Sequence, residues 1–248
     1  MIQKRENGFT LVELAIALMV IGLLIGGVLK GQELIENARI TRVVKDLNDY
    51  DAAVMIFRGA YNALPGDIRN PTRIPNCDSA PCNNVVGVGN GQIAESNNSG
   101  NPSTAVKAKN FWIHLERAGL ITGNDEDENF TKIRSINALE GWFVASYTAT
   151  GNPDLTADPA MNSINLRQSY PNHSDRYFSP KTANTLDQKM DDGKPLSGTF
   201  IAARSITTGS HGTSAPLTNC IDDTTKEYLN TEPEVGRCLI LVRLGSLQ

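Results

Sequence analysis

The chain has 248 residues and a mass of 26.9 kDa, enough for one domain with a substantial core, or one domain plus an appendage. Its formal net charge of -4 and pI near 5.4 provide no overall basic field for phosphate backbones, so nucleic acid is not an expected partner. The apolar residues are concentrated in one block near the N terminus, ahead of a remainder rich in Asn, Gly, Ser and Thr. That distribution fits a soluble protein with a single anchor and excludes a polytopic one.

The first element is that block. In residues 9–29 Glu13 is the sole charge, and about 20 apolar residues at about 1.5 Å each suffice to cross the hydrocarbon of a bilayer. The run is longer than the core of a secretory signal and no A-x-A site follows it. Lys4 and Arg5 hold the preceding end in the cytoplasm, opposed only weakly by Lys30. Glu13 is the anomaly, because a charge at the centre of a membrane helix costs about 2.5–3.5 kcal/mol even on lenient scales. Its own helix offers no evident partner in the sequence. Two local explanations are open: reach to headgroup water, or a favourable interaction with the helix macrodipole.

Residues 1–8 followed by FTLVE resemble the processing site of type IV prepilins and type II secretion pseudopilins: a short basic leader, a glycine, a phenylalanine and a glutamate at the matching offset. The resemblance implies a leader peptide of residues 1–8 removed after Gly8, N-methylation of the new amine on Phe9, and Glu13 as the assembly carboxylate. Residues 9–29 would be the transmembrane and filament-core helix. The implied partners are a prepilin peptidase/N-methyltransferase, other pilin or pseudopilin subunits and the inner membrane. The implied location is single-pass in a bacterial inner membrane, N terminus cytoplasmic and head periplasmic, and then in a pilus or pseudopilus. A cut after Gly8 creates a cationic amine that Glu13 of a neighbouring subunit would neutralise, a buried pair that specifies register more than it adds stability. One departure stands out: where many pilins carry a late proline, this run has Gly22, Gly26, Gly27 and Gly31. Glycine costs about 1 kcal/mol of helix propensity and permits close helix approach, so local melting and tight packing are both open here.

Residues 30–63 form the amphipathic half of the same helix. Ile40, Val43, Leu47, Tyr50, Val54, Phe57 and Tyr61 recur at three- and four-residue steps, one face that needs a cover. The helix ends at ALPGD, where Pro65 and Gly66 stop it. From Phe9 to Asn62 it would extend about 80 Å if continuous.

Residues 64–248 form the head. Residues 66–103 are loop-like, with Asn90-Gly91 a candidate tight turn. A short second helix follows, with Ser103 or Thr104 as cap, an apolar set at Ala108, Phe111, Trp112, Leu115 and Ala118, and Gly119 as its end. The acidic TGNDEDENF lacks the alternating spacing of a calcium loop and reads as a solvated turn. Strands are expected at 142–149, 199–206 and 238–244, which are rich in β-branched and aromatic residues. Helices first and strands later give an α+β class with an antiparallel sheet. The resemblance implies the same: a pilin-like fold, its long N-terminal helix packed on an antiparallel β-sheet head.

Four cysteines, Cys77, Cys82, Cys220 and Cys238, lie beyond the anchor, an even number suited to disulfides in an oxidising compartment. Three pairings are possible; Cys77 with Cys82 and Cys220 with Cys238 is the favoured one. The second bridge resembles the disulfide-closed C-terminal loop of many pilins. A four-cysteine zinc site is disfavoured by spacing and compartment. Asp187, Asp191 and Asp192 are calcium candidates, since some pseudopilins bind calcium in C-terminal loops. The simpler reading is a helix ending at an Asp-Gly turn, with the aspartates bonding local amides.

His114, His173 and His211 are the only histidines. Ser210 beside His211 does not make a nucleophile and base pair, and no nucleophile elbow, zinc-protease motif, phosphate loop or dinucleotide fingerprint occurs. The chain therefore reads as a structural subunit, not an enzyme, with no cofactor. Its loop-rich head suits a minor or specialised subunit of a pilus or pseudopilus. The alternative is a filament-tip binding module such as an adhesin or a DNA-uptake subunit.

Overall fold

A computed structural model describes residues 10–83, 89–93, 106–122, 134–136, 141–148, 161–168, 178–204, 220–222, 224–229 and 238–245. Compact units span Met1–Ile40 and Thr41–Gln248.

Helix α1, Leu11–Tyr61, contributes residues to both. Thr10 and Glu13 start it: the Glu13 amide donates to the Thr10 hydroxyl at 3.2 Å, and the Thr10 amide donates back to Glu13 Oε2 at 2.9 Å. This reciprocal pair is a capping box, two orphan amides satisfied at once. At the other end Asn62 adopts φ 52, the left-handed conformation that commonly ends helices. The helix runs unbroken through Gly22, Gly26, Gly27 and Gly31, so no melting occurs there within the single chain.

In the larger unit α1 buries most of the expected face, with Val43, Leu47, Tyr50, Val54 and Phe57 buried and Ala53 joining them, while Tyr61 is only half-buried. A single 3-10 turn, Pro71–Arg73, helix α2, Val106–Arg117, and helix α3, Pro180–Met190, are the other helical elements among the described residues. The one-sided face expected of α2 is too narrow. Asn110, Phe111, Trp112, Ile113, His114 and Leu115 are consecutive and all buried, so the segment is covered all round, and its polar members need internal partners. The proposed caps Ser103 and Thr104 lie outside the described residues.

Among the described residues the sheet has five antiparallel strands: β1 Arg134–Ile136, β2 Gly141–Thr148, β3 Met161–Gln168, β4 Phe200–Arg204 and β5 Cys238–Arg243, in the order β1-β2-β3-β5-β4. Strands β2, β4 and β5 coincide with those expected to within a few residues, whereas β1 and β3 were not anticipated. MNSINLRQ has little β-branched or aromatic content, yet β3 is the central strand, hydrogen-bonded to β2 on one side and β5 on the other. Position in the sheet overrides its weak propensity.

Cross-strand partners place Phe143, Leu166 and Ile240 on one face, together with Ala145, Ile164, Val242 and Phe200. Tyr50 of α1 packs edge-on against Phe143 at 5.2 Å and against Trp112 of α2 at 5.1 Å, so both helices cover this face. Met161, Ile201 and Leu241 form a second buried cluster, with Leu239 packed against it. A long apolar helix with an antiparallel sheet is an α+β, pilin-like architecture.

Candidate functional site

Gly8 and Phe9 lie outside the described residues; the structure begins at Thr10, one turn ahead of Glu13. Glu13 does have a partner in its own helix, contrary to the sequence reading: its Oε2 accepts from both the amide and the hydroxyl of Thr10, the latter at 2.8 Å. The signal was present in the sequence as T-L-V-E, the S/T-x-x-E pattern of a capping box.

Beyond it, α1 includes a stretch long and apolar enough to cross a membrane, and none of that stretch is buried among the described residues. Leu11, Met19 and Leu23 expose 86%, 74% and 75% of their surface, far more apolar area than a soluble monomer leaves bare. A Cβ added at Gly22, Gly26, Gly27 or Gly31 meets nothing within 4 Å, so no packing among the described residues requires these glycines.

In the head the chain after α1 is held by buried polar groups, of which the sequence marks His114 only as a histidine without a catalytic pattern and does not mark Asp67, Lys107 or Asn162. Gly66 has φ +80, and a Cβ there would lie 2.3 Å from the Lys107 carbonyl oxygen, so only glycine allows this approach to α2. Its amide donates to His114 Nδ1 at 2.9 Å, which makes Nδ1 the acceptor and leaves the proton on Nε2, directed at the Cys82 carbonyl at 3.1 Å. Burial pushes the His114 pKa down to about 4, so the ring is neutral and purely structural at physiological pH.

Asp67 and Lys107 form an ion pair at 2.9 Å with only 2% of each side chain exposed. The remaining valences of Asp67 are met by the amides of Gly89 at 3.2 Å and Gly91 at 2.8 Å. Asn162 of β3 receives the Ile93 amide at 2.8 Å and donates to the Gly91 carbonyl at 2.8 Å, tying this loop to the sheet.

The disulfides are Cys77–Cys82 and Cys220–Cys238, with no free cysteine. Donor atoms of Cys77, Cys82 and His114 lie within 4.8 Å of one another. Both sulfurs are consumed by the bridge and both ring nitrogens by hydrogen bonds, so this group does not suit a metal.

Asp187, Asp191 and Asp192 also bring carboxylate oxygens within 4.8 Å. Each is engaged locally. Asp187 accepts from the Gly193 amide at 3.1 Å and the Tyr228 hydroxyl at 2.7 Å; Asp192 accepts from the Lys194 amide at 2.9 Å and the Ser197 hydroxyl at 2.7 Å. Asp191 accepts from the amides of Thr199 and Phe200. The three thus fasten the turn after α3 to the start of β4 and to the loop closed by Cys220–Cys238. His173, His211 and Ser210 lie outside the described residues, as does the acidic segment 123–130.

Burial pushes Asp187 up to about 6, the Tyr228 and Gly193 hydrogen bonds opposing it. Its pH linkage runs opposite to that of His114. Between pH 6.5 and 4 the unfolded chain protonates its histidine before the folded one does, so His114 loses about 3 kcal/mol of stability on acidification. Between pH 6 and 4 folded Asp187 takes its proton first, so it gains stability as the pH falls. The two offset each other in the intact protein. Asp187→Asn should unmask the loss, and denaturant titrations of the variant should fall more steeply with acid than those of the parent; equal slopes would contradict this assignment.

Residues 3–29 match the family described as the prokaryotic N-terminal methylation motif. This is the prepilin-type motif of type IV pilins and pseudopilins, and it points to a pilin-like structural subunit anchored in a membrane by its apolar helix. No curated protein and no solved structure matches the chain.

Proposed function

We propose that this protein is a minor or specialised structural subunit of a type IV pilus or type II secretion pseudopilus. A prepilin peptidase cuts after Gly8, the new amine on Phe9 is methylated, and α1 leaves the inner membrane to pack among the helices of related subunits. The N terminus of the precursor faces the cytoplasm and residues 64–248 form a periplasmic head. The observation that carries this reading is the methylation motif at the head of a helix whose apolar surface the chain itself leaves uncovered. Such a surface needs lipid or other helices, and a filament core supplies the second once the helix leaves the first.

The role of Glu13 follows from the same chemistry. The Thr10 capping contacts orient its carboxylate at the helix start, and the methylated amine of Phe9 in a neighbouring subunit neutralises its charge. The aspartates after α3 are fasteners of the C-terminal loop, not calcium ligands. Melting temperatures measured with calcium and with chelator should therefore coincide; a calcium-dependent rise would reassign Asp187, Asp191 and Asp192.

The function is tested by shearing filaments from cells and asking whether the processed subunit sediments with them. Its absence from filaments, with the protein present in the membrane, would overturn the reading. Scoring secretion, surface motility and DNA uptake in a deletion strain identifies the machine.

A further inference from the structure

The Asn90-Gly91 turn is surrounded by more chemistry than a turn needs. Asn90 Oδ1 accepts from Lys107 Nζ at 3.1 Å and from the Gln92 amide at 3.2 Å. The Gly91 amide points at Asp67 Oδ2, 2.8 Å away, and Asn90 Nδ2 donates to Gln92 Oε1 at 3.2 Å. Lys107 and Asp67 are almost wholly buried, while Asn90 is exposed to water. Gly91 has φ +79, and a Cβ built there would meet nothing within 4 Å, so the α-carbon side of the turn is open.

We propose that Asn90-Gly91 is a self-modifying site, at which the head converts its own asparagine to an aspartyl or isoaspartyl residue. The Gly91 nitrogen is the nucleophile and the Asn90 side-chain carbonyl carbon the electrophile. Asp67 takes the Gly91 amide proton as the N–C bond forms, and Lys107 with the Gln92 amide stabilises the negative charge that develops on Oδ1. The proton returns to Nδ2, which leaves as ammonia, and a five-membered succinimide joins residues 90 and 91. Water then adds to either imide carbonyl and opens the ring, so the net change is asparagine plus water to acid plus ammonia.

The ionised Asp67–Lys107 pair suits this chemistry as it stands, base on one side and cation on the other. The product carries a second carboxylate facing Lys107. In the isoaspartyl branch the backbone also gains a methylene between residues 90 and 91, which displaces the Gly91 amide from Asp67 and the 91–93 segment from Asn162. The modification would loosen the loop from α2 and β3.

The test follows the full-length, detergent-solubilised protein at neutral pH by peptide mapping, with isoaspartate detection, in buffer and in denaturant. The folded chain should modify residue 90 about tenfold or more faster than the denatured chain, since positioned base and charge are absent in the latter. Asp67→Asn should bring the folded rate down to the denatured one, and Asn90→Gln should abolish the product. A folded rate equal to or below the denatured rate would overturn the proposal; this comparison stands even where Asp67→Asn fails to fold.

Discussion

Lys107→Met is expected to destabilise the head by about 3–5 kcal/mol, the usual cost of removing one partner of a buried ion pair. Asp67 would then remain as a buried carboxylate with, among the described residues, the Gly89 and Gly91 amides to oppose its desolvation. Three segments lose a common anchor at once: the turn after α1, the loop at 89–93 and α2. Removing both charges in Asp67→Leu/Lys107→Met should recover part of the loss, because no unpaired charge remains, but not all, because the two glycine amides are left without acceptors. Denaturant unfolding measures both. A loss below about 1 kcal/mol for Lys107→Met would mean that the pair behaves like an exposed one.

The second large effect is expected at Glu13. Glu13→Ala should leave cleavage after Gly8 intact and nearly abolish incorporation into filaments. Alanine removes two things together, the capping contact with Thr10 and the charge offered to a neighbouring subunit. Glu13→Gln separates them, since glutamine completes a capping box as glutamate does but carries no charge. If charge neutralisation governs assembly, Glu13→Gln fails like Glu13→Ala. If the helix start is what matters, Glu13→Gln assembles normally. Quantifying each subunit in sheared filaments against the membrane fraction distinguishes the two.

Much of the fold was legible because its signals are periodic. The Val43 to Phe57 stripe repeats at helical spacing, and β5, CLILVR, is a short run of β-branched and aliphatic residues closed by turn-forming sequence. The N-terminal methylation motif was legible because its residues are contiguous. Strand β3 escaped because Asn162, Ser163 and Asn165 have side chains that favour turns, and what makes it a strand is pairing on both edges with segments distant in sequence. The buried network escaped for the same reason. Asp67, Asn90, Lys107 and Asn162 look like surface residues in their own neighbourhoods, and only the tertiary fold brings them together. His114 illustrates the limit from the other side: its two hydrogen bonds reach the backbone of Gly66 and Cys82, groups that every residue carries and no motif marks.

The capping box is the instructive miss. T-L-V-E carries the pattern, but the local explanations that the sequence leaves open for Glu13, headgroup water and the helix macrodipole, do not include Thr10 as its partner. The structure gives its carboxylate a local partner, so an intramolecular contact now precedes the intermolecular one in the proposed assembly.

The most direct test of the filament-subunit reading is the intact mass of the protein extracted from its native membrane. The predicted species lacks Met1 to Gly8 and carries one added methyl group on the amine of Phe9. A chain that retains its first eight residues in a strain with active prepilin peptidase would contradict it.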